Sequence, residues 1–286
     1  MTTKTYIILK ALESKHVSGS LSELIEHARL NKILLYFLRE LGIEGDVRDK
    51  EESRFKFFIK SLSEVVSILS KFDKGYTFFK LLKPIDYVPA DVDILINNSI
   101  LHDLVRAFLR NGFTLSVIEP YTITLTKGSF IVDLYTYPSL GNIVFMDSSI
   151  LFEHTTKRSI YGYEVITLEE YAEAVVTLMH ALVKEWIFTL NDYFTISKWF
   201  NNRSIKLCED MECSDLAETA LRICNLVESG AIETPYHLPT SVVISILASR
   251  FRRYPIFRST TIMFVKRFGD PRLLKLAISK LTRITY

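Results

Sequence analysis

Cysteine is scarce in this chain. Three of its 286 residues, Cys208, Cys213 and Cys224, carry thiols, too few for a disulfide scaffold. Their C-x4-C-x10-C spacing matches no zinc pattern and has no second pair nearby, so reduced thiols on helices are expected. Long apolar runs are missing as well. No stretch approaches the ~20 residues that a membrane span needs, and the longest candidates are broken by His180, Lys184 and Glu185. The N-terminal residues carry Lys4, Lys10 and Lys15 but only a short apolar run, Tyr6 to Leu9, which is no secretory signal. Glycine (10) and proline (8) are sparse, and no solenoid repeat is visible. With 48% hydrophobic and 24% charged residues, disordered and collagen-like proteins are excluded. The expectation is a cytoplasmic protein of about two domains with no membrane partner.

Charge of one sign is scarce only locally. The whole chain has a net charge of +2. Residues 241–286 hold ten basic residues against the single acid Asp270, a net +9, which leaves 25 basic against 32 acidic residues, a net −7, in residues 1–240. An acidic body with a basic tail hints at an anionic partner for the tail.

Helical signals come first. Ser20 and Glu23 read as a capping box before a helix to Leu41, stopped by Gly42. A charged stretch, Glu44 to Arg54, reads as a link to a second helix over about Phe55 to Lys71. The period then changes. Strands are expected at Tyr76 to Leu82, Val92 to Ile96, Phe113 to Ile118, Tyr121 to Thr126 and Phe130 to Tyr135, with a helix at Leu101 to Leu109. Two prolines keep the segment from Pro84 to Pro89 out of a helix. Thr167 and Glu170 read as a capping box before a long amphipathic helix to about Trp186, and the rest reads as mostly helical.

Three acids carry the chemistry. Asp91 and Asp93 flank Val92 at the start of a strand, so their side chains share a face, ~6.5–7 Å apart along the strand. Asp133 lies within Ile131-Val132-Asp133-Leu134, a segment otherwise built for burial, where a carboxylate without a partner is costly. Carboxylates converging in this way suit one or two hard cations, and magnesium takes such oxygen ligands while leaving positions open for phosphate. A pair of ions would activate an attacking hydroxyl and stabilise a leaving pyrophosphate.

Phe79-Lys80, a proline-containing loop, Asp91-Val92-Asp93-Ile94-Leu95-Ile96, a helix, Asn111-Gly112-Phe113, a hairpin and Val132-Asp133-Leu134 together resemble the DNA polymerase beta-type nucleotidyltransferase superfamily, with the nearest likeness to uncharacterised prokaryotic, especially archaeal, members. The likeness extends more weakly over residues 179–185 and Leu190-Asn191-Asp192. Together with the order of elements (helices, strands, helices) the likeness points to an α+β fold: a small mixed-sheet core at residues 73–165, an N-terminal helical segment at 1–72 and a C-terminal helical domain with a basic tail at 166–286, the likeness itself not extending over residues 241 onward. It further implies that Asp91 and Asp93 bind two Mg2+ (or Mn2+) ions. Asp133 would contact the catalytic metal and help deprotonate the acceptor hydroxyl, with a nucleoside triphosphate such as ATP as donor. The superfamily usually places a Gly-Ser pair before its D-x-D; here that stretch reads Phe79-Lys80-Leu81-Leu82-Lys83. Lys80 or Lys83 could contact phosphate instead as point charges.

His180 and Lys184, four apart on a helix, read as one face over the nucleotide, with Asp192 orienting the phosphate contact; the alternative is a helix-face histidine and a solvated lysine. Arg250, Arg252, Arg253, Arg258, Lys266 and Arg267, interleaved with Phe251, Tyr254, Phe257 and Phe264, read as a surface for RNA or a tRNA end, or else as a basic face that balances the acidic body. Two functions remain open. One is metal-dependent transfer of a nucleoside monophosphate to RNA, protein or a small molecule. The other is an inactive protein of the same fold that binds nucleic acid or a partner protein, with a toxin–antitoxin component as one form of it.

Overall fold

The β-branched and apolar runs between Gly75 and Leu168 zip into one seven-stranded mixed sheet in a computed structural model of the chain, which describes residues 3–266 and 284–285. Four helices precede it: α1 (Lys4–Ser14), α2 (Leu21–Leu30), α3 (Leu34–Glu40) and α4 (Asp46–Leu69). Next come β1 (Tyr76–Phe78), β2 (Val92–Ile96), α5 (Asn98–Arg110), β3 (Thr114–Ile118), β4 (Thr122–Lys127) and β5 (Phe130–Tyr135). A small pair, β6 (Ser139–Leu140) and β7 (Ile143–Val144), and α6 (Ser148–Phe152) lead to a hairpin of β8 (Thr155–Ile160) and β9 (Tyr163–Leu168). Then α7 (Glu170–Met179) runs into a π-helical turn (His180–Glu185), followed by β10 (Ile187–Phe188), α8 (Leu190–Trp199), α9 (Asn202–Asp210) and α10 (Ser214–Glu228). The described part closes with β11 (Tyr236–His237), α11 (Thr240–Arg253) and α12 (Pro255–Val265). The class is α+β, as expected.

The strand order is β3-β4-β5-β2-β1-β9-β8. β2 lies between β5, its parallel neighbour, and β1, its antiparallel one. All five β2 residues are buried, so alternation along the strand separates two cores rather than core from water. Val92, Ile94 and Ile96 face the layer of α4 and α5, against Phe58, Leu62 and Phe108. Leu95 faces the other way, into a core built jointly by the first three helices and the C-terminal ones, with Ile8, Phe37, Val176, Leu182, Leu216 and Ile246. Asp91 and Asp93 share the parity of Leu95, so the acids point between the sheet and that helical layer.

Several local expectations change. The helix read from Ser20 to Leu41 is broken at Asn31–Ile33, where Lys32 adopts φ 58°. The side chain of Asn31 competes for the backbone: its amide donates to the carbonyls of His27 (2.9 Å) and Thr234 (3.0 Å), and its oxygen accepts from the Leu190 N–H (2.9 Å). Ser20 is the N-cap residue, but its side chain makes no cap bond. The stretch read as a link from Glu44 to Arg54 is mostly the first half of α4, laced by Arg48–Glu52 and Arg54–Glu51 pairs at helical spacing. Thr167 caps nothing: it belongs to β9, and its hydroxyl donates to the Phe78 carbonyl. Helix α7 is not amphipathic, since all but its first residue are buried. The hairpin of β8 and β9 has no counterpart in the sequence reading. Among the described residues, no helix is long and apolar enough to cross a membrane.

Candidate active site

The register of β2 against β5 places Asp93 directly beside Asp133, and Asp91 one pleat further along the same face. A carboxylate oxygen from each of the three lies within 4.8 Å of the others. Thr124, the partner of Asp133 on β4, donates its hydroxyl to Asp133 Oδ1 at 2.5 Å and fixes that carboxylate. Asp93 accepts from the Lys80 ammonium at Oδ2, 2.6 Å away, while its Oδ1 is buried with no hydrogen-bond partner among the described residues. The acids open onto a cavity of about 560 Å³, a size suited to a small ligand.

That cavity collects residues from distant parts of the chain. Lys80, Lys83, His180, Lys184 and Asp192 all line it. Lys80 stands where β1 ends, in a left-handed conformation (φ 61°). Its N–H donates to Glu173 Oε2 on α7 (2.9 Å), and its carbonyl accepts from the Tyr87 hydroxyl (2.9 Å). The Lys83 ammonium donates to the Thr177 hydroxyl (2.8 Å). Lys184 reaches the Tyr135 hydroxyl (3.5 Å), and His180 Nε2 lies 3.4 Å from Glu185 Oε1 across the π-helical turn. π-Helical turns often accompany functional sites, and this one carries both residues to the cavity wall. Asp192 also serves its own helix, because Oδ2 accepts from the Thr189 N–H and hydroxyl at the start of α8.

Electrostatics follow from crowding and burial. The neighbouring Asp93 charge, with burial, pushes Asp91 up to about 6 against the pull of Lys80. Burial and Asp93 raise Asp133, with the Thr124 hydrogen bond opposing. Burial opposes the Lys80 charge, but Asp93 and Asp91 outweigh it and hold that ammonium above its usual value. Burial lowers Lys83, and lowers Lys184 with help from Lys80. Burial, and then the surrounding lysines, press His180 well below its usual value, which favours the neutral imidazole.

Some contributors were not anticipated. Lys32, on the loop between α2 and α3, lines the cavity, and burial lowers it to about 8; its surroundings in sequence carry no signal for this. Tyr135 does carry one, since it lies two residues after Asp133 on the same face of β5. Glu173 carries another, as an acid inside Ala172-Glu173-Ala174-Val175.

The basic tail divides. Arg250 does not belong to a nucleic-acid surface. It is 1% exposed, its guanidinium donates to the carbonyls of Met211, Glu212 and Phe145, and it stacks on Tyr254. Tyr254 and Phe257 are buried as well, which removes them as platforms for bases. Arg252, Arg253, Arg258 and Lys266 are exposed on α11, on α12 and just beyond it. Arg267 lies outside the described residues.

No family model matches the chain, and no curated protein matches its sequence. Among solved structures, part of the chain is similar to the lincosamide antibiotic adenylyltransferase LnuA in its lincomycin-bound crystal structure, with a TM-score of 0.35 and 13% identity over 49% of this chain and 94% of that one. It is similar as well to ANT(2")-Ia in complex with adenylyl-2"-tobramycin, with a TM-score of 0.33 and 11% identity over 60% of this chain and 94% of that one.

Proposed function

We propose that this chain is a metal-dependent nucleotidyltransferase that moves a nucleoside monophosphate from a nucleoside triphosphate to a hydroxyl acceptor. One observation carries the reading: three carboxylates, on or just before two adjacent strands, meet within 4.8 Å at a cavity, and one of their oxygens, Asp93 Oδ1, is buried without a hydrogen-bond partner among the described residues. A buried, unpartnered carboxylate oxygen is costly unless a cation meets it. An all-oxygen donor set fits Mg2+ or Mn2+.

Asp91, Asp93 and Asp133 would hold the ion, which when bound supplies Lewis acidity to the reacting phosphate and to the departing pyrophosphate. The side chains do the rest. Lys83 and Lys184 line the cavity wall and set positive charge against the triphosphate. Asp133, fixed through Oδ1 by the Thr124 hydroxyl, would help take up the proton that leaves the acceptor hydroxyl as its oxygen bonds to phosphorus and the bond to pyrophosphate breaks. The exposed Arg252, Arg253, Arg258 and Lys266 suit an RNA acceptor.

Incubation with labelled triphosphates, Mg2+ or Mn2+, and total RNA or total protein tests the reading. The wild type labels an acceptor, and Asp91→Asn and Asp133→Asn lower labelling by a factor on the order of 100 or more. Equal labelling by the wild type and both variants would refute it. The second reading, a protein that binds but does not transfer, draws on the Lys80–Asp93 ion pair and the missing Gly-Ser. Under it, calorimetry with triphosphate and Mg2+ shows no triphosphate binding, while RNA still binds with a steep salt dependence.

A further inference from the structure

Lys80 is not placed like a phosphate-binding lysine. Its ammonium is seated on Asp93 Oδ2 at 2.6 Å, and it is held there from several sides. The Phe79 and Tyr135 rings lie 5.2 and 5.5 Å from the nitrogen, close enough for both ring faces to favour the charge. The backbone under the side chain is pinned at both ends of the residue, by Glu173 on the N–H and by Tyr87 on the carbonyl. The side chain is 16% exposed. A lysine that swings out to follow a triphosphate would have to leave this aromatic seat.

Asp93 is thereby split between two roles. Oδ2 belongs to the ammonium, and Oδ1 is left with no partner among the described residues, on the face shared with Asp91 and Asp133. In a two-ion site, acidic residues on such a face hold both ions ~3.5–4 Å apart. Here one of the oxygens needed for that is already covered by a cation of the chain. Before any triphosphate arrives, three carboxylates, one ammonium and one divalent ion come to neutrality, and a second divalent ion would leave the cluster at +2 in a half-buried site.

We infer that Lys80 occupies the place of a second ion, so that the site takes a single divalent cation, held by Asp91, Asp93 Oδ1 and Asp133, beside a permanent ammonium. The inference rests on the metal-site reading above and refines it. Lys80 is then a residue of the cation cluster, and the triphosphate is left to Lys83, Lys184 and Lys32 on the cavity wall.

Mn2+ binding measures this without recourse to activity. The full chain is titrated with Mn2+ and followed by electron paramagnetic resonance, alone and with the α,β-methylene analogue of ATP. Expected for the wild type is ~1 protein-bound Mn2+ per chain with an uncoupled, single-ion spectrum in both conditions. Lys80→Met is expected to take ~2, with the exchange coupling of ions ~3.5–4 Å apart, and Lys80→Arg to stay at ~1. A coupled pair in the wild type overturns the inference and leaves the metal site standing. A Lys80→Met variant that melts like the wild type but still takes one ion overturns the role of Lys80. If Lys80→Met fails to fold, the wild-type and Lys80→Arg spectra still decide the number of ions. Absence of any bound Mn2+ in the wild type, with Asp93→Asn indistinguishable from it, overturns both this inference and the metal-site reading.

Discussion

Glu173 is wholly buried, with Oε2 accepting from the Lys80 N–H and Oε1 without a partner among the described residues. Burial raises it from 4.5 to about 7, against the nearby Lys83 charge. Between those values the folded chain holds a proton that the unfolded chain releases. Stability therefore falls as pH rises through that window, and the loss is complete above about 7. Glu173→Gln keeps an acceptor for the Lys80 N–H and removes the titration. The variant should be more stable than the wild type above pH 7, by up to roughly 3 kcal/mol, with the gap closing toward pH 4.5. Thermal denaturation across pH checks this, and a gap that does not change with pH would contradict it. Glu173 also shows what was legible at this scale. An acid inside an apolar run marks Asp133 in its strand, and the same mark sits unread in α7. The position of Lys32 had no such mark, because it depends on a turn formed by contacts more than 150 residues away.

Elements depend on such distant contacts unevenly. Short apolar, β-branched runs bounded by turn residues located β2 to β5 and their hairpin without tertiary information, since β2 is buried on both faces and β5 on one face and partly on the other. The break between α2 and α3 was not legible, because helical periodicity runs straight through it. Asn31 makes it, by meeting the backbone of Leu190 and Thr234. Asn31→Ala should strand those two buried groups and destabilise the fold by about 2–4 kcal/mol, read as a lower urea midpoint. An unchanged midpoint would mean that the turn is held by other means. The edge strand β3 behaves differently. Every residue in it is exposed, including Leu115, Val117 and Ile118, and at the end of the sheet one side of its backbone has no strand partner among the described residues. Ile118→Lys should shift stability by less than about 0.5 kcal/mol and lower aggregation on heating, as light scattering would show.

For the molecule as a whole, charge separation survives the burial of Arg250 in part. Arg252, Arg253 and Arg258 remain exposed within a helical pair that packs on the acidic body. Replacing all three by Gln should reduce the slope of log K against log salt for RNA binding by about 2–3 and weaken binding across sequences alike. A slope equal to that of the wild type would place the RNA elsewhere or nowhere. The joint core has an implication of another kind, for synthesis. The first helix is stitched to a loop near the far end of the chain: Thr5 Oγ1 meets the Thr234 hydroxyl and N–H, and the Lys4 N–H meets Glu233. On a ribosome that adds about 5–20 residues per second, α1 waits some tens of seconds for that loop to be made. In that interval Ile8, Leu9 and Leu12 have no finished core to enter. A nascent chain stalled short of residue 234 should therefore be a client for chaperones.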